Sequence, residues 1–183
     1  FQVATIPSLA AECAESGIIS NNLHALSVTG LHVLIDDIFS ALQESGKLRY
    51  FKNNPVNKGI VEALAGAINE LRLNGITARD LPRGAFVNSD KESDIRLILG
   101  AYENALEHNS LVDKAGLILL ALKTMGRVCG GRDRLFCIVS SHILSGVERE
   151  FLEKLCGKDL IVVREDPVHG LERPQGAVGA GDS

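Results

Sequence analysis

Leu135-Phe136-Cys137-Ile138-Val139-Ser140-Ser141-His142-Ile143-Leu144-Ser145 opens the stretch that decides the fold, and Leu160-Ile161-Val162-Val163 closes it. Leu135 to Val139 is an uninterrupted apolar run with aromatic and β-branched members, as expected of a short buried strand. Ser145-x-x-Glu148 has the spacing of a helix capping box, and Phe151, Leu152 and Leu155 supply the apolar face of the helix it starts. The second apolar run follows directly. Strand, helix and strand with short links form a βαβ unit, which implies parallel strands joined by a crossover. The expected fold class is α/β.

Upstream of that unit the period changes to that of helices. Leu31, Leu34, Ile35, Ile38, Phe39 and Leu42 make one apolar stripe, and Gly46 follows as a stop. Asn54-Pro55 offers a cap and a first-turn proline to a second stripe of Ile60, Leu64, Ile68 and Leu71, ended near Gly75. Ser89-x-x-Glu92 predicts a capping box ahead of Ile95, Ile98, Leu99, Tyr102 and Leu106, with Asn109 as the stop. Ser110-x-x-Asp113 predicts a fourth start, before a helix that is apolar nearly all round from Leu117 to Leu122. Glu70 and Arg72 are expected on a solvated face, and Asp113 is expected to serve as the acid of the capping box that Ser110 opens. At the front, Phe1 to Thr5 reads as a strand running into a helix with Pro7 in its first turn. From Asp166 onward, prolines and glycines without periodicity predict an irregular tail.

The pattern divides the chain into an α/β piece over 1–20, a helical insert over 21–126, and a second α/β piece with the irregular tail over 127–183. A length of 183 residues suits one or two domains, and 45% hydrophobic with 23% charged residues is the balance of a folded globular chain. No apolar run approaches the roughly 20 residues of a membrane span, so no membrane association is expected. Cys13, Cys129, Cys137 and Cys156 have neither C-x-x-C spacing nor a histidine at ligand spacing. They read as reduced core thiols of a cytoplasmic protein, with no metal site.

Several segments, in order, resemble the first motor domain of UvrD/Rep-type superfamily I DNA helicases. Val3-Ala4-Thr5-Ile6-Pro7-Ser8-Leu9-Ala10 is similar to the family's T-F-H-S segment, with Pro7 in place of the histidine. Leu111-Val112-Asp113-Lys114-Ala115-Gly116-Leu117-Ile118-Leu119-Leu120 is similar to its L-V-D-F-x-x-L-L stretch. With Ile68 to Ile76 and Ala101 to Leu106 the resemblance comes nearest to the helicase-like, nuclease-bearing B subunit of AddAB-type recombination exonucleases. It implies a mostly α-helical subdomain inserted into a RecA-like parallel α/β core. Working family members carry D-E-x-x-D after the strand where this chain has Ser140 and Ser141. That acidic pair holds Mg²⁺ and polarises the attacking water, which a neutral hydroxyl cannot do. The phosphate loop of the family lies upstream of the matched region. The resemblance therefore implies an inactivated ATPase with no catalytic residue, no metal and no cofactor in this fragment. Its parent would be a double-strand-break processing exonuclease with a PD-(D/E)XK nuclease domain further on. DNA of either strandedness and a helicase subunit are the implied partners.

The residues add one candidate contact surface. Between Lys47 and Val61 stand Lys47, Arg49, Lys52 and Lys58, with Tyr50 and Phe51 among them and no acid. A positive segment with stackable rings suits a nucleic-acid backbone, and a solvated loop is the plainer alternative. A second basic cluster, Arg127, Arg132 and Arg134, is diluted by Asp133. His142 beside Ser141 and Ser145 lacks the G-x-S-x-G turn of a serine hydrolase. Two other functions fit the same pattern: a scaffold that contacts a partner protein and no DNA, and a truncated active superfamily I helicase.

Overall fold

The computed structural model describes residues 3–125, 136–157 and 160–164. Val3 to Thr5 are not a strand: Thr5 caps α1 (Ile6–Ser20), whose first turn holds Pro7. Thr5 and Ser8 satisfy each other's backbone N–H groups, at 3.3 and 3.0 Å, so Thr5 serves as a helix cap where it was expected to be the last residue of a strand. Phe1, Gln2, Leu135, the Arg127–Arg134 cluster and the tail from Asp166 lie outside the described residues.

Three helices then form a bundle: α2 (Val28–Glu44), α3 (Lys58–Leu73) and α4 (Ser89–His108). Their stripes meet as the spacing requires. Ile35, Phe39, Leu64, Ile68, Ile95, Ile98, Leu99 and Tyr102 are buried together. Each such large apolar side chain contributes about 1.5–3 kcal/mol by leaving water. The caps differ from expectation in two places. Asn57, not Asn54, caps α3, accepting from Ile60 N–H at 3.1 Å. Asn88, not Ser89, caps α4, accepting from Asp90 and Lys91 N–H at 2.9 and 3.0 Å. Neighbouring residues of similar capping strength compete, and packing of the stripe chooses between them. Glu92 is consequently free to accept from Gly84 N–H at 2.7 Å and to pair with Arg96 at 3.1 Å.

The short strands β1 (His24–Ala25) and β2 (Leu111–Val112) pair in parallel across the base of the bundle. Ser110 precedes β2 at a φ of 52°, so the fourth helix start is set by Asp113 alone, which caps α5 (Lys114–Thr124). A second buried cluster begins here. α5 packs against α1 and against α6 (Gly146–Cys156), uniting Ala10, Ala14, Ala115, Ile118, Ala121, Phe151 and Leu152. The two clusters divide between Leu111, which packs on the bundle, and Val112, which belongs to the second core.

β3 (Phe136–Val139) and β4 (Leu160–Val163) flank α6 and pair in parallel, with Phe136 opposite Leu160 and Val139 opposite Val163. The βαβ reading is thus met, and the chain is an α/β fold with short parallel strand pairs. Cys137 and Cys156 are thiols, but Cys137 is exposed and Cys13 is disulfide-bonded, so the expectation of reduced core cysteines throughout does not hold. Sequence spacing does not report which cysteines meet in space. Among the described residues no helix is long and apolar enough to cross a membrane.

Candidate functional site

β3 ends at Val139, and the chain turns there through Ser140, Ser141 and His142. Ser140 N–H donates to Val163 O at 2.8 Å, completing the ladder, and His142 N–H donates to Val139 O at 3.0 Å. A cleft of about 640 Å³ opens at this strand end, bounded by Thr5 and Pro7 of the α1 start, Ser141, His142, Lys114 and Glu148. In parallel α/β sheets ligands bind at the carboxyl ends of strands, which is where this cleft lies.

Of the described residues lining the cleft only Glu148 carries a carboxylate. Glu148 Oε1 stands 2.6 Å from Lys114 Nζ, while Oε2 accepts from Ser145 N–H at 3.0 Å and from the Ser145 hydroxyl at 2.8 Å. Burial pushes against its ionisation, but Lys114 and Ser145 outweigh that and hold it below the usual carboxylate range. Its oxygens are committed to an ion pair and a helix cap. Ser145 donates its hydroxyl to Glu148, which removes it as a partner of His142. The arrangement of a nucleophile, a base and an orienting acid is not assembled here. Ser140 and Ser141 both remain exposed.

Asp113, expected only as a capping-box acid, is both the cap of α5 and the centre of a buried network joining the two cores. Its Oδ1 accepts from Gly116 N–H at 2.7 Å and from Arg72 Nη2 at 3.1 Å. Its Oδ2 accepts from Arg72 Nε at 2.6 Å and from the Tyr102 hydroxyl at 3.2 Å. Arg72 is not on a solvated face: its side chain is 14% exposed, and Nη1 also reaches Glu103 at 3.3 Å. Burial and the facing Asp113 charge push the Tyr102 hydroxyl far above its ordinary value, with Arg72 opposing. The hydroxyl therefore stays a proton donor. The bidentate fork of Arg72 matches the planar carboxylate, a geometry lysine could not supply.

The basic segment links α2 to α3 and packs on the bundle core. Lys47, Arg49, Lys52 and Lys58 are exposed, whereas Leu48 and Phe51 are buried in the bundle core. Phe51, 7% exposed, offers no face for a base to stack on, and Tyr50, 44% exposed, does. Arg49 and Lys58 lie 3.8 and 3.6 Å from Asp90 and Glu62 in exposed pairs that contribute little. What shapes the segment is Asp94, fully buried on α4. Its carboxylate accepts from Arg49 N–H at 3.0 and 3.1 Å and from Phe51 N–H at 2.9 Å. Gln43 holds the other side, donating to the carbonyls of Phe51, Lys52 and Asn54. Reading the segment alone misses both residues. The available signal was an acid, Asp94, four residues before Ile98 on an apolar helix stripe.

The structure therefore brings Ser141 and His142 together in one cleft and puts the basic segment on a separate, preordered surface. No protein-family model and no curated protein match the chain.

Proposed function

We propose that this chain is the helicase-like part of a DNA-processing protein, in which a RecA-like core and its helical insert have been kept for binding and hydrolysis has been lost. The observation that carries the reading is the carboxyl end of β3. By the sequence resemblance, Ser140 and Ser141 take the positions at which an active motor of this kind carries two acids, and the neighbouring Glu148 is committed to Lys114 and Ser145. The parallel β3–α6–β4 unit and the short L-V-D strand leading into the Asp113 cap support the same reading. The parent on this account takes part in double-strand-break processing and recombination repair.

A second role, as a subunit scaffold, is favoured by one feature. Parallel sheets are normally covered on both faces, yet Val139, Ile161, Val162 and Val163 are 41–57% exposed. Both roles predict the same result with nucleotide. Isothermal calorimetry of the chain with ATP, with and without Mg²⁺, should show no Mg²⁺-dependent binding. Micromolar Mg-ATP affinity would instead identify a working nucleotide site and overturn the reading. Binding to DNA separates the two roles.

A further inference from the structure

We propose that the loop 47–52 and residues 86–91, which lead into and open α4, form one surface that binds single-stranded nucleic acid, with Tyr50 stacking on a base and Lys91 clasping a phosphate. The proposal rests on the helicase-like reading for its partner class and deepens it by adding the start of α4 and assigning roles to atoms.

The two segments meet. Lys91 Nζ lies 5.8 Å from the Tyr50 ring centroid and 5.9 Å from that of Phe86. Among the described residues no carboxylate lies within ion-pair distance of Lys91. An ammonium held by ring faces keeps its N–H donors available to an incoming acceptor. Tyr50 is itself held, its ring nearly perpendicular to that of buried Phe51 with 4.9 Å between centroids. Arg49 and Lys52 project beside it, while Asp94 and Gln43 pin the backbone that carries them. Fixing this surface before binding reduces the ordering cost that a flexible loop would incur on contact.

The combination selects the ligand. Exposed cations around a half-exposed ring match a chain that alternates anions with flat apolar groups. A duplex hides its base faces, and a sulfated polysaccharide has none, so neither uses Tyr50. A single strand uses both parts.

Fluorescence anisotropy of the 183-residue chain, with labelled oligothymidylate in one series and heparin in another, tests this at several salt concentrations. Tyr50→Ala should weaken oligothymidylate binding about fivefold or more, leave the salt slope unchanged, and leave heparin binding unchanged. Lys91→Ala should lower the salt slope by about 0.7, the share of one phosphate contact on a single strand. Tyr50→Phe should bind as the unmodified chain does. Melting temperatures of these surface variants, expected to match, keep the readout on binding. Equal weakening of both ligands by Tyr50→Ala, or none of either, would overturn the proposal in favour of a generic anionic contact. If Arg49→Ala with Lys52→Ala abolishes binding while the Tyr50 and Lys91 variants bind normally, the proposal fails and the helicase-like reading stands. If the unmodified chain binds no single strand even at low salt, the DNA-binding reading fails with it.

Discussion

Asp113→Ala should lower folding stability by about 3–5 kcal/mol, because it strips the partner from a largely buried arginine. The loss has separable parts. Arg72 loses both arms of its fork at 2.6 and 3.1 Å and is left with Glu103 at 3.3 Å. Tyr102, 1% exposed, loses the acceptor for its hydroxyl. Gly116 N–H loses the oxygen that caps α5. The unpaired guanidinium dominates, since a charge without a partner in a dry site is costlier than an open helix end. Adding Arg72→Met should therefore recover part of the loss. Urea unfolding followed by circular dichroism would show the single variant with the lower midpoint of the two. A single variant within about 1 kcal/mol of the unmodified chain would mean water reaches the network freely.

Asp94→Ala should cost about 3 kcal/mol by the same measurement, because two backbone N–H groups facing a buried site lose a charged acceptor. Asp94→Asn should fall between the two, as its amide presents one oxygen to the donors and an N–H₂ group that repels them. These variants also test the basic segment. With Asp94 gone, Arg49 and Tyr50 are released from a fixed backbone, so affinity for single-stranded DNA should fall. The salt slope should persist, since no cation has been removed. A loop equally ordered without Asp94, judged by unchanged stability, would place its shape in the Leu48 and Phe51 anchors instead.

The helices of the bundle were legible because each is amphipathic over three or more turns. Every residue of the Ile95, Ile98, Leu99, Tyr102 and Leu106 stripe is buried, and Gly46 and Gly75, at φ of 67° and 73°, stop their helices as expected. The β3–α6–β4 unit was legible from two apolar runs flanking a capping box. Cap positions were not, since Asn88 and Ser89 are near-equal caps one residue apart, and tertiary packing picks between them. Nor was the allegiance of α5. A helix apolar nearly all round gives no sign of which neighbours it will join, and this one joins α1 and α6. The polar hubs were hidden for a related reason. Arg72 and Asp94 look solvated in sequence because charge predicts exposure, and only their partners 41 and 45 residues away in the chain reverse that. In the candidate cleft, Ser141 and His142 were legible as residue types, whereas the Lys114–Glu148 pair that closes off the remaining acid depends on α5 meeting α6.

The most direct test is a fluorescence titration of the unmodified chain and of Arg49→Ala with Lys52→Ala against single-stranded DNA across a salt series. The account predicts weak, sequence-indifferent binding, with the double variant both weaker and shallower in salt slope by about 1.4, two phosphate contacts at 0.7 each. Net charge of −4 on the whole chain confines such binding to low salt. A double variant that binds as tightly as the unmodified chain, with the same slope, would reduce the segment to a solvated loop and leave scaffolding as the role of this fold.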